Sequence, residues 1–122
     1  MKRLSLLSTL YLAPLLAFAD AAGTWTASFE TQVGVQNYTY VFALDGATLT
    51  GTAKSSLNET ASEIKDGKIE GDTITFIENL NYQGMDLVIT YKGTLAGDEI
   101  KFSRMVGEFA TEELTAKRAE EQ

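Results

Sequence analysis

Two charged residues occupy positions where the alternation of the chain calls for apolar ones. Over Thr73 to Asn79, Ile74, Phe76 and Glu78 share one face; over Glu99 to Met105, Ile100, Phe102 and Arg104 do. Period-two alternation marks a half-buried strand, so both charges are expected to point inward. A charge taken out of water needs a partner, and these two could meet across the strand between them. The planar fork of Arg104 suits a carboxylate or phosphate, which makes the pair a candidate polar anchor at the rim of a pocket. The plainer alternative is that both strands end there and the long side chains reach solvent.

Little other chemistry is available. The 122 residues include no histidine and no cysteine, which removes the commonest general base, the thiol nucleophile and the usual transition-metal ligands. No nucleophile-elbow, P-loop or dinucleotide glycine pattern occurs. Glu112-Glu113, or Glu59 with Glu63, could form a carboxylate pair of the glycosidase kind, but 17 acidic residues bring such pairs together by chance. Asp86 and Asp98 do not have calcium-loop spacing. No catalytic residue, metal ligand or cofactor is therefore expected. A net charge of −7 without a basic cluster also argues against nucleic acid as a partner.

These residues must be held by strands. Thr24 to Gln32 sets Trp25, Ala27 and Phe29 on one face, and Gln36 to Leu44 sets Tyr38, Tyr40, Phe42 and Leu44 together. Asp45-Gly46 reads as a hairpin turn. Strands then follow over Thr48 to Ser55, about Ala61 to Glu70 (with Asp66-Gly67 as a bulge or tight turn), Thr73 to Asn79, Met85 to Leu95 and Glu99 to Met105. Asn81-Tyr82-Gln83-Gly84 reads as a loop. The tail from Thr111 has helix-favouring composition, yet a last strand near Glu113 to Arg118 would cover two open sheet edges. Short connections imply antiparallel neighbours. The expected fold is all-β: a single up-and-down meander barrel of about eight strands, with a C-terminal strand or short helix. Eight strands enclose just enough room for side chains or one small ligand.

In a meander, alternate connections lie at opposite ends. Those at Asp45-Gly46, Gly71-Asp72 and Gly97-Asp98 are tight and lie at the end where Trp25 begins. The opposite set, near Thr31 to Gln36, Ser55 to Thr60, Asn79 to Gly84 and Val106 to Thr111, is longer and carries amide and aromatic groups. Binding residues favour loops on a rigid scaffold, so the expected mouth is opposite Trp25. The candidate ligand-binding set is Tyr38, Glu78, Asn81, Tyr82, Met85, Arg104 and Phe109. The inward aromatic residues would line a pocket or fill the core.

Gly23-Thr24-Trp25 at the start of the first strand, with Lys117 or Arg118 near the other terminus, resembles the calycin group (lipocalins, fatty-acid-binding proteins and avidins). The resemblance implies that the basic residue lies across the tryptophan and closes one barrel end, with Gly23, Trp25 and Arg118 as the closure. It also implies non-enzymatic binding of a small molecule. Leu49-Thr50-Gly51-Thr52 is similar to the third-strand region of avidin-type barrels. The binding tryptophans of avidins and the disulfides of lipocalins are absent, so biotin binding is not implied. The competing expectation is an accessory or interaction β-domain with a filled core, of the kind associated with extracellular hydrolases.

The chain begins Met1-Lys2-Arg3, continues apolar from Leu4 to Phe18, and offers small residues at Ala17-Phe18-Ala19 and Ala19-Asp20-Ala21. This is the pattern of a secretory signal peptide, and the run is shorter than a bilayer-spanning helix. Residues 1–21 are expected to be removed, leaving a barrel domain over 22–122, secreted or periplasmic, with no membrane attachment after cleavage. Losing Lys2, Arg3 and Asp20 leaves 8 basic and 16 acidic residues, a net charge of −8. Stability without disulfides must come from burial and sheet hydrogen bonds.

Overall fold

The computed structural model describes residues 20–119; the expected leader lies almost wholly outside them. Eight strands follow in order: β1 (Gly23–Thr31), β2 (Gly34–Asp45), β3 (Thr48–Ser55), β4 (Ser62–Glu70), β5 (Thr73–Tyr82), β6 (Met85–Ala96), β7 (Glu99–Val106) and β8 (Ala110–Arg118). Each pairs antiparallel with the next, and β8 returns to β1 to close an up-and-down barrel. The tail is a strand. Leu114 and Ala116 are buried while Glu113, Thr115 and Lys117 stay exposed, and β8 pairs with β7 along its length. Burying that face and satisfying the edge of β7 outweigh the local preference for helix.

The turns differ from expectation. Two of the connections expected to be longer, near Thr31 to Gln36 and Asn79 to Gly84, are the two-residue turns Gln32-Val33 and Gln83-Gly84. The reason is that β2 starts earlier and β5 ends later than expected. Asp45 pairs with Thr48, so the central residues are Gly46-Ala47, with positive φ at Gly46, the pattern of a type II′ hairpin that opens on glycine. Gly71-Asp72 and Gly97-Asp98 join their strands in the same way. Asp66-Gly67 is a bulge: Leu49 opposes Gly67 and Thr52 opposes Glu63, so the register shifts between them.

Inward residues fill the lower and middle barrel. Trp25, Tyr38, Tyr40, Phe42, Phe76, Tyr91 and Phe102 are buried. Phe76 stacks on Tyr91 with centroids 4.3 Å apart, and Phe102 meets both edge-on. Gly93 pairs with Phe102, and a Cβ at Gly93 would run into that ring. Glycine is needed there because the aromatic ring uses the space. Gly93→Ala should therefore lower stability by about 1–3 kcal/mol, read from the urea midpoint. An unchanged midpoint would mean that Phe102 has room to move.

Candidate functional site

At one end, residues 20–22 fold over the barrel. The Trp25 indole N–H donates to the Ala21 carbonyl at 2.9 Å. The Arg118 guanidinium lies 4.4 Å from the Trp25 ring centroid and donates to the carbonyls of Ala22 and Asp20, at 3.0 and 2.6 Å. Its Nε donates to Asp98 at 3.1 Å. Gly23 lies beside this cap, its missing Cβ 3.2 Å from Arg118 Nη1. Ala21 and Trp25 are wholly buried, so this end is closed.

The other end is open. Between the ends of every strand but β4 lies a cavity of about 260 Å³. Leu80, Leu87, Ile89 and Val106 give it apolar walls, Arg104 and Gln36 give it a polar side, and Val33, Leu57, Tyr82, Met85 and Phe109 surround its entrance. Val33, Leu57, Met85 and Phe109 are large apolar residues left exposed. The interior is thus filled below and open above.

Below the cavity sits a polar cluster that the alternation forces inward. Arg104 Nε donates to Glu112 at 2.9 Å and Nη1 to the Tyr91 hydroxyl at 2.6 Å, while Nη1 stands 4.0 Å from Glu78. Tyr38 donates to Glu78 Oε2 and Tyr91 to Oε1, each at 2.9 Å. Because Tyr91 donates to Glu78, the 3.0 Å contact between Tyr40 and Tyr91 is a bond from Tyr40 to Tyr91. Arg104 also lies 5.0 Å from the ring centroids of Phe29 and Tyr38. Burial, supplemented by the charge of Glu78, pushes all three tyrosine hydroxyls up, so they remain neutral donors. Burial also pushes the Glu78 carboxyl up, against the lowering pull of Arg104 and of the Tyr91 and Tyr38 hydroxyls.

Glu78 and Arg104 do meet, but not at a rim. Glu78 is 0% and Arg104 2% exposed. The reason is strand length: β5 continues to Tyr82 and turns at Gln83-Gly84, both with positive φ, so Glu78 sits well inside rather than near the strand end. Asn81 and Tyr82 accordingly belong to β5 and not to a loop. Asn81 points outward; it donates to Asp86 at 2.9 Å and accepts from the Gly84 N–H at 3.3 Å. It fixes the turn, outside the cavity. Tyr38 lies in the cluster below. Of the candidate set, Arg104, Tyr82, Met85 and Phe109 line the mouth cavity.

Several cavity residues were outside that set. Gln36 shares the parity of Tyr38, and Ser55 that of Ala53, so alternation alone marks both as inward. Ser55 donates to Gln36 Oε1 at 2.8 Å, and Gln36 Nε2 donates to Thr31 at 3.0 Å. Glu112 carried a weaker signal, since its strand competed with a helix. Among the described residues no acidic cluster could hold a metal ion.

No family model and no curated protein matches the chain. Among solved structures, human cRBP IV is similar, with a TM-score of 0.53 and 18% identity over 83% of this chain and 99% of that one. The likeness is one of fold, a closed eight-stranded up-and-down barrel.

The raised Glu78 pKa has a definite sign. The folded protein holds this proton more tightly than the unfolded chain, whose carboxyl titrates near 4.5. The group therefore adds stability below that value, and this is lost as pH rises through the raised one. Glu78→Gln should remove this component, so that the variant gains on the parent as pH rises above about 4.5. Urea midpoints of both proteins across pH test this, and parallel profiles would contradict it.

Proposed function

We propose that the protein is a secreted, non-enzymatic binding protein for a small, neutral, largely apolar molecule held in the mouth cavity opposite Trp25. The observation that carries this reading is the cavity itself: four aliphatic side chains over an arginine whose charge is already balanced. Ligand sites are typically apolar hollows with a few placed polar groups, of roughly 300–1,000 Å³. At about 260 Å³ this cavity suits a compact ligand, or one whose far end stays among Val33, Leu57, Met85 and Phe109.

Charge narrows the class. Arg104 is bonded to Glu112 and close to Glu78, so an anion would have to displace a carboxylate 2.9 Å away. A carbonyl, ether or hydroxyl oxygen needs only a free guanidinium or amide N–H. The structural likeness to human cRBP IV agrees with a binding role, though the polar cluster favours an uncharged head.

Native mass spectrometry of the protein from its own source should show a co-purifying small mass. Val106→Trp, which fills the hollow and leaves Arg104 intact, should weaken rebinding of the extracted compound by at least about tenfold. Unchanged affinity in a folded variant would move the site elsewhere.

Secretion rests on the leader pattern, and the geometry at the closed end bears on where it is cut. Removal through Ala21 would delete the acceptor of the Trp25 N–H and one acceptor of Arg118. Cutting after Ala19, at the Ala17-Phe18-Ala19 site, keeps both. Intact mass and N-terminal sequencing of the exported protein should begin at Asp20, whereas a start at Ala22 would refute that assignment.

A further inference from the structure

Large apolar side chains are left in solvent at one end of the barrel only. Each connection at the mouth carries one at or beside its tip: Val33 between β1 and β2, Leu57 between β3 and β4, Met85 at the start of β6, and Phe109 between β7 and β8. Val35, Val88 and Met105 continue this crown a short way down the outer wall. Thr90 pairs with Met105, which makes Val88 and Met105 diagonal neighbours on one face. Of the eight large apolar residues exposed among the described ones, only Val41 lies away from the mouth. The turns of the closed end, at Gly46-Ala47, Gly71-Asp72 and Gly97-Asp98, carry none. Single exposed apolar residues are ordinary, but a cluster with a polar border marks an interaction surface.

The border here is acidic. The four connections, with two strand residues on either side of each, hold Glu30, Glu59, Glu63, Asp86 and Glu108 against one cation, Lys54. All of these are exposed. None of the five carboxylates is in an ion pair among the described residues. The Lys54 ammonium is turned onto the carbonyls of Asn58 and Ser55, at 2.9 and 3.5 Å, so it does not neutralise them.

We propose that this crown docks a basic amphipathic helix of another protein. The barrel presents strand ends here and not a free sheet edge, so recognition runs through side chains. A helix satisfies its own main chain and offers an apolar stripe flanked by charge. Leucines on that stripe would lie on Val33, Leu57, Met85 and Phe109, and lysines or arginines beside it would meet the carboxylates. Methionine and aromatic side chains suit such a contact, because they adapt to the shape laid on them. A second copy of the chain would set the same carboxylates against each other, and an anionic bilayer would repel them. The tips stand outside the hollow, so docking does not depend on what the hollow holds.

The test uses an acetylated peptide, Leu-Lys-Lys-Leu-Leu-Lys-Lys-Leu-Lys-Lys-Leu-Leu-Lys-Lys, which makes about four helical turns. Calorimetry reads its affinity, and protein amide shifts read its position. The peptide should shift amides at the four tips. Glutamate in place of every lysine, or the same residues scrambled to break the stripe, should weaken binding by at least about tenfold. So should Leu57→Ser with Phe109→Ser, or Glu59→Gln with Glu108→Gln, all exposed positions that the fold does not need. Val41→Ser, on the wall, should bind as the parent does. Val106→Trp, which fills the hollow, should also bind normally, and this separates docking from the reading of the cavity as a ligand site. Equal affinity for the scrambled peptide, or undiminished binding by the Leu57→Ser, Phe109→Ser protein, would overturn the proposal. So would tip amides that respond to phosphatidylcholine vesicles or to protein concentration but not to the peptide, which would make a bilayer or a second copy the occupant.

Discussion

A guanidinium buried in a narrow barrel imposes its terms on everything around it. Arg104 is 2% exposed, and a charge removed from water by that degree is tolerable only if it is paired and hydrogen-bonded. Four strands supply what it needs: Glu78 from β5, Tyr91 from β6, Glu112 from β8, and the ring of Tyr38 from β2. The tyrosines serve twice, as aromatic bulk for the core and as donors to Glu78. A one-residue slip of β5 or β8 would send its carboxylate to solvent and strand the arginine. The cluster is thus a register lock as well as a core element.

That cluster also divides the barrel into two functional halves. Below it the space is packed with rings, and Trp25 under Arg118 seals the end with hydrogen bonds to residues 20–22. Above it the inward positions change to Leu80, Leu87, Ile89 and Val106, whose aliphatic side chains leave a hollow. The same polar layer that completes the core therefore forms the floor of the cavity. Its internal charge balance shapes what the cavity can hold, because Arg104 reaches the hollow already engaged by Glu112.

Much of the fold was legible because a strand's two faces can be read directly from alternating residue types. Glu78 and Arg104 were identifiable as inward from parity, and their meeting was one of two readings open until the structure brought them within 4.0 Å. Their depth was not legible, since it depends on where β5 stops. Tyr82 belongs to the strand because a two-residue turn at Gln83-Gly84 follows it, a local choice that Asn81-Tyr82-Gln83-Gly84 does not announce. Gln36 and Ser55 carried the same parity signal as their aromatic neighbours, but as polar residues near strand ends they also fitted exposed positions. Glu112 was hidden by the helix-favouring composition of the tail.

By itself the sequence determined the class of fold, the strand faces and the absence of histidine and cysteine chemistry. Each of these follows from residue type and spacing within a few positions along the chain. Only the tertiary structure decided that the tail is a strand, that Arg104 is shared by two carboxylates, that a hollow survives above it, and that β8 pairs with β1 at only two positions. These features depend on residues distant in sequence competing for the same space. Closure of the barrel fixes how much room they have, and no local pattern encodes that.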